Sequence, residues 1–171
     1  MNWNPTWEFE TDDPALQLRL RPLREHWEAR GPGLLSRVQQ TYPWIELPSQ
    51  ITITLIDPQR GGGGRVLGSN HIEFEAVLFN PMPQLPEVVR LAWLWGCCDA
   101  TTRDGLSASL IPVVLEAAQH VELASFDEVT TKLAIENWLD QSNLTPARLI
   151  RWYEHSGRHA KTVSDLVIED T

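Results

Sequence analysis

ITITLIDPQRGGGGRVLGSNHIEFEAVLFNPMPQLPEVVRLAWLWGCC, residues 51–98, is the stretch that decides how this chain folds. Ile51, Ile53 and Leu55 alternate with Thr52 and Thr54, the period of two expected of a half-covered strand over Ile51–Asp57. A second strand is predicted over Asn70–Leu78, with Ile72, Phe74 and Ala76 on one face and His71, Glu73 and Glu75 on the other. Pro86 and Glu87 then open a helix that runs to Cys98, since proline suits the first turn and glutamate the positive end of the dipole. Val88, Val89, Leu91, Ala92, Trp93, Leu94 and Trp95 cover every side of it, so it is predicted to be central and buried.

Before this block, Asp12 or Asp13 with Pro14 signals a helix start, and Leu16, Leu20, Leu23 and Trp27 recur at helical spacing to about Arg30. Gly31-Pro32-Gly33 predicts a break, after which Leu34, Leu35, Val38 and Tyr42 form a second short helix. Residues 1–13, with Trp3, Trp7 and Phe9 at odd positions, read as a strap or an edge strand. Beyond Gly105 the pattern is helical: about Leu110–Leu123, Asp127–Asp140, and Thr145 as cap with Pro146 to about His155. Ala160–Thr171 reads as a late strand or a disordered tail. The expectation is one α+β domain over residues 1–171: a small mixed or antiparallel sheet packed on a buried central helix, with a helical C-terminal half.

The chain has 171 residues, 42% of them hydrophobic, which is enough to bury a real core. Trp27, Trp93, Trp95 and Trp138, four of its eight tryptophans, fall within periodic apolar patterns and are predicted to lie there. The formal net charge of −9, with no segment rich in Lys or Arg, opposes binding to nucleic acid and to anionic membranes. The longest apolar run, near Leu91–Cys98, is far shorter than the ~20 residues that span a bilayer. Met1–Glu10 also lacks the regions of a signal peptide, so a cytoplasmic protein is expected. Cys97 and Cys98, adjacent in an apolar helix, read as buried hydrophobes and not as a disulfide or a redox site.

Gly61–Gly64 invites comparison with a phosphate loop, and Arg60, Gly62, Gly63 and Arg65 are its candidate contacts. Arg65 does not occupy the lysine position and a strand follows where a helix is required, so a strand connection is the simpler reading. His71, Glu73 and Glu75 share one side of a strand and form a candidate metal or acid–base set, although charges there equally suit a solvated edge strand. Glu116 with His120, and His155 with His159, have the spacing of two ligands on one helix face. Both pairs lack further ligands, and Gly157 is placed to end the last helix between the two histidines. Ser107, Ser109 and Ser125 sit in no nucleophile-elbow pattern.

The order of elements over Ile51–Val121 resembles the upper half of a zincin metalloprotease: strand, glycine-containing loop, edge strand followed by Asn-Pro, active-site helix. In register, Trp93-Leu94-Trp95-Gly96-Cys97 stands where that family has His-Glu-x-Gly-His, and only Gly96 matches. Trp93 and Cys97 fall at the ligand positions and Leu94 at the base position, while Glu116 lies on the following helix, where a gluzincin has its third ligand. The resemblance therefore implies a non-catalytic relative with neither metal nor cofactor. The expected function is a protein- or peptide-interaction module that uses the strand at residues 70–80 as its edge. The alternative is a metal-dependent hydrolase with an unconventional site near His71, Glu73 and Glu75.

Overall fold

The structure, a computed structural model, describes residues 4–57, 64–75, 80, 82–99, 106–139 and 142–168. Among these residues, four strands form one mixed sheet and five α-helices accompany it, an α+β fold. The strands are β1 (Thr6–Glu10), β2 (Gln50–Ile56), β3 (Gly64–Gly68) and β4 (His71–Glu75), in the spatial order β1-β2-β4-β3. β1 and β4 run parallel to β2, and β3 runs antiparallel to β4. The terminal segment thus supplies an outer strand, with Trp7 opposite Ile51 and Phe9 opposite Ile53.

This order corrects one expectation. His71–Glu75 is an interior strand, hydrogen-bonded to β2 on one side and β3 on the other, and the edge belongs to Gly64–Gly68. A row of charges along one face of a strand reports that this face meets water, and it is silent about what lies beside the strand. Residues 76–79 of the predicted strand, with Arg60 and Gly61–Gly63 of the glycine loop, lie outside the described residues. Gly64 opens β3 at φ 147°, where a Cβ would lie 2.5 Å from the Glu73 carbonyl oxygen, so this position demands glycine.

The first helix also differs from expectation. α1 runs unbroken from Gln17 to Thr41 with Pro22 and Pro32 inside it. The apolar stripe explains why: Leu20, Leu23 and Trp27 continue without a change of face into Leu34, Leu35 and Val38, and all six are buried. An interior proline costs about 3 kcal/mol, whereas each fully buried Leu or Val contributes roughly 1.5–3 kcal/mol. Burial of the second half therefore outweighs the break signal. Gly31 is required for a separate reason, since a Cβ there would stand 2.3 Å from the Trp27 ring.

α2 (Glu87–Gly96) is buried from Val88 through Gly96, except for Arg90. Its Trp95 stacks on Trp27 with ring centroids 5.2 Å apart, and Trp7 of β1 meets both rings edge-on at 6.4 and 6.5 Å. This cluster fastens β1, α1 and α2 together, and the Trp95 indole N–H also donates to the Pro48 carbonyl at 3.1 Å. Arg90 reaches back to the sheet, donating to the Glu75 carbonyl at 3.2 Å with its guanidinium 4.2 Å above the Phe74 ring.

The C-terminal half supplies α3 (Leu110–His120), α4 (Glu128–Trp138) and α5 (Pro146–His155). Asp127 and Thr145 cap α4 and α5 by accepting from the backbone N–H groups of Thr130 and Arg148. Of the late segment, residues 160–168 are described and residues 169–171 are not. Val163–Leu166 is a 3-10 turn with a capping box between Thr162 and Asp165, and the buried Leu166 accepts from Ser109 Oγ at 2.7 Å. No helix among the described residues is long and apolar enough to cross a membrane.

Candidate functional site

β2 and β4 each give the core one side and leave the other partly open. Ile51, Ile53, Leu55, Ile72 and Phe74 are buried, while Thr52, Thr54, His71 and Glu73 are half-buried. Parallel pairing aligns Thr52 with His71 and Thr54 with Glu73, and β1 brings Glu10 opposite Thr54. A hydrogen-bonded chain results: Thr54 Oγ1 donates to Glu10 Oε1 at 2.8 Å and lies 2.8 Å from His71 Nε2. A hydroxyl has one proton to give, and the carboxylate takes it, so His71 Nε2 must carry the proton that Thr54 accepts. The remaining nitrogen, Nδ1, is the imidazole atom free of this chain.

Glu73 Oε1 accepts from Arg65 Nε at 2.8 Å across the β3–β4 pair, and Glu75 is only 6% exposed. Among the described residues no three His, Cys, Asp or Glu side chains converge as metal ligands. Arg65 ties β3 to its neighbour through Glu73, and the loop residues 60–63, with which it is a candidate contact, lie outside the described residues.

Of the helix pairs, Glu116 is engaged by Tyr153 and Arg158: the Tyr153 hydroxyl donates to Glu116 Oε2, and Arg158 donates to Oε1 at 2.8 Å. Burial, then this contact with Glu116, pushes the Tyr153 phenol well above the ordinary tyrosine range. Tyr42 is pushed in the same direction by burial and by Glu116, and its hydroxyl donates to the Gly157 carbonyl at 2.6 Å. His159 belongs to a separate 3-10 turn, Gly157–His159, and so leaves the helical face of His155. Nothing in the spacing of Glu116 announced tyrosine and arginine partners 37 and 42 residues away.

Trp93 and Leu94 of α2 and Cys97 at its C-cap are 5%, 3% and 4% exposed. Trp93 stacks on Trp138 of α4 at 5.3 Å and donates from its indole nitrogen to the Ser107 carbonyl at 2.8 Å. Cys97 and Cys98 are buried cysteines, and burial, with the neighbouring Cys98, pushes the Cys97 thiol far up.

Among the described residues, β3 is the outer strand on this side of the sheet. It pairs with β4 from Gly64 to Gly68 with a bulge between Val66 and Gly68, so that Leu67 stands opposite no residue of β4. Leu67 is 45% exposed, one of four large hydrophobic residues in that condition among the described residues. No family model matches this chain, and neither the curated proteins nor the solved structures provide a match.

Proposed function

We propose that this protein is a cytoplasmic, non-catalytic binding module on a zincin-like scaffold that has lost its metal motif, and that it takes an extended peptide along the outer edge of β3. The observation that carries this reading is the burial of Trp93, Leu94 and Cys97, the positions at which the resemblance requires two metal ligands and a base.

A strand with one hydrogen-bonded neighbour presents backbone donors and acceptors on its other side, and an added strand satisfies them. Exposed Leu67 offers an apolar side chain beside that edge. The interior place of His71–Glu75 removes the edge role from that strand and leaves it to β3. The hydrolytic alternative retains the Glu10–Thr54–His71 chain as an acid–base element, but Glu73 is engaged by Arg65 and no convergent ligand set accompanies it among the described residues.

The test is selection of binders from a library of extended peptides, followed by amide hydrogen exchange of the complex. Protection that rises along β3, with affinity lost in Leu67→Pro, is the expected result. Leu67 has no Cα register partner on β4, and a bulge is a position where a strand accepts proline, so the fold should persist. Selected peptides that bind Leu67→Pro as tightly as the parent would refute the edge.

A further inference from the structure

Where the chain enters α4, apolar side chains lead from the core out to water. Phe126, Val129 and Leu133 follow one another at intervals of three and four, the spacing of one helix flank. Phe126 and Leu133 pack partly against the core, and the Phe126 ring meets Tyr153 edge-on with centroids 5.6 Å apart. Val129 is 65% exposed, so most of its side chain takes no part in that packing. A β-branched residue on an exposed helical turn brings no gain in helix propensity either. A single exposed valine is ordinary, but one that continues a line of half-buried apolar side chains extends an apolar surface beyond the core.

Carboxylates accompany this surface. Residues 122–140 hold Glu122, Asp127, Glu128, Glu136 and Asp140 against Lys132 alone, with Asp140 outside the described residues. Glu128 adjoins Val129, and Glu136 lies two turns further along the same flank of α4. Lys132 is paired with Glu136 at 3.8 Å, and Asp127 caps the helix. Arg30 of α1 reaches the α3–α4 connection and donates to the Val121 carbonyl, so five carboxylates stand against two cations there. The basic residues of α5 are placed differently. Arg148, Arg151 and His155 line a hollow with Ser164 and Asp165 to which Phe126, Val129 and Leu133 do not contribute, and Arg158 is bound to Glu116.

An apolar surface with an excess of negative charge around it selects its occupant. A second copy of this chain would set the same carboxylates against one another, and an anionic lipid surface would repel them. We infer that the Phe126–Val129–Leu133 flank docks a basic amphipathic helix of another protein. The apolar side chains of that helix cover Val129 and Leu133, and its Lys and Arg side chains meet the surrounding carboxylates. The surface includes no residue of β3, so it can fail while the peptide edge stands, and the reverse.

Fluorescence anisotropy and amide NMR on the whole chain test this. The probe is a labelled peptide of about 14 leucine and lysine residues, patterned to give one apolar and one basic helix face. It should bind with Kd below about 100 μM and shift the amides of Val129, Lys132 and Leu133. The same composition in scrambled order should bind at least about tenfold more weakly. Val129→Ser, at an exposed position that leaves the fold intact, should reduce affinity by about tenfold. Glu122→Gln combined with Glu128→Gln should reduce it by about threefold or more and flatten its salt dependence. Leu67→Ser on β3 should leave it unchanged. Absence of binding, or binding indifferent both to Val129→Ser and to the paired glutamine substitutions, would overturn the inference. Concentration-dependent dimerisation lost in Val129→Ser, with no binding of the peptide, would also overturn it, in favour of a second copy.

Discussion

Ile53 and Ile72 face one another across β2 and β4 on the helix side of the sheet and are wholly buried, whereas Thr54 and Glu73, the next pair along, remain half-buried on the other side. The same two strands therefore meet two different solvents. On the helix side, apolar area removed from water holds the molecule together, and the Trp93 and Trp95 indole nitrogens there donate to backbone carbonyls. On the other side, hydroxyl, imidazole and carboxylate groups bond to one another at the boundary with water, where such bonds contribute little to stability and are available for chemistry. The apolar core and the hydrogen-bonded polar face are thus separated by a single residue of offset.

That separation is most easily broken from the buried side. Trp95→Ala removes a fully buried ring, its stack on Trp27 and its bond to Pro48, and should cost about 3–5 kcal/mol, measured as a lowered urea midpoint. A loss below about 1 kcal/mol would mean that the three-tryptophan cluster does not join β1, α1 and α2.

An intermediate effect is expected where α3 meets α5. Tyr153→Phe deletes the hydroxyl that donates to Glu116 and should cost about 1.5–3 kcal/mol at neutral pH. The pH dependence has a definite sign. Both Tyr153 and Tyr42 titrate higher in the folded chain than the ordinary value of 10.0. The folded state therefore keeps protons that the unfolded state releases, and stability present below about pH 10 should fall as pH rises above it. Chemical denaturation between neutral and strongly alkaline pH checks this, and Tyr153→Phe should flatten the alkaline slope.

The smallest change belongs to the open side. Arg65→Ala breaks the ion pair with Glu73 at a position where the arginine side chain is 61% exposed. Its effect on the urea midpoint should correspond to less than about 1 kcal/mol, and a larger loss would show the edge strand to be a structural necessity.

How much of this was legible in the sequence follows the same division. β2 and α2 declared themselves because burial on one side of a strand and on all sides of a helix leaves direct traces, a period of two and an unbroken apolar run. α1 was misread at Gly31-Pro32-Gly33, where the local signal for a break is strong and the stripe joining Trp27 to Leu34 prevails only through tertiary contact. β3 went unseen because two of its five residues are glycines and its partner lies across a tight turn. The Glu10–Thr54–His71 chain could not be read at all, since it depends on strand registers linking residues 44 and 17 positions apart. Likewise, Glu116 shows its spacing to His120 in the sequence but not the partners it takes.

The central claim is that the middle of α2 is core and not the wall of a catalytic cleft, and the reactivity of its thiols tests this most directly. Cys97 and Cys98 are both buried, and burial holds the Cys97 thiol in its unreactive protonated form. Labelled with a thiol-specific disulfide reagent at neutral pH, the native protein should react slower than the urea-unfolded chain by about a thousandfold or more. Prompt labelling of Cys97 in the fully folded protein would contradict the account, because it would place that side chain in an open, water-accessible site.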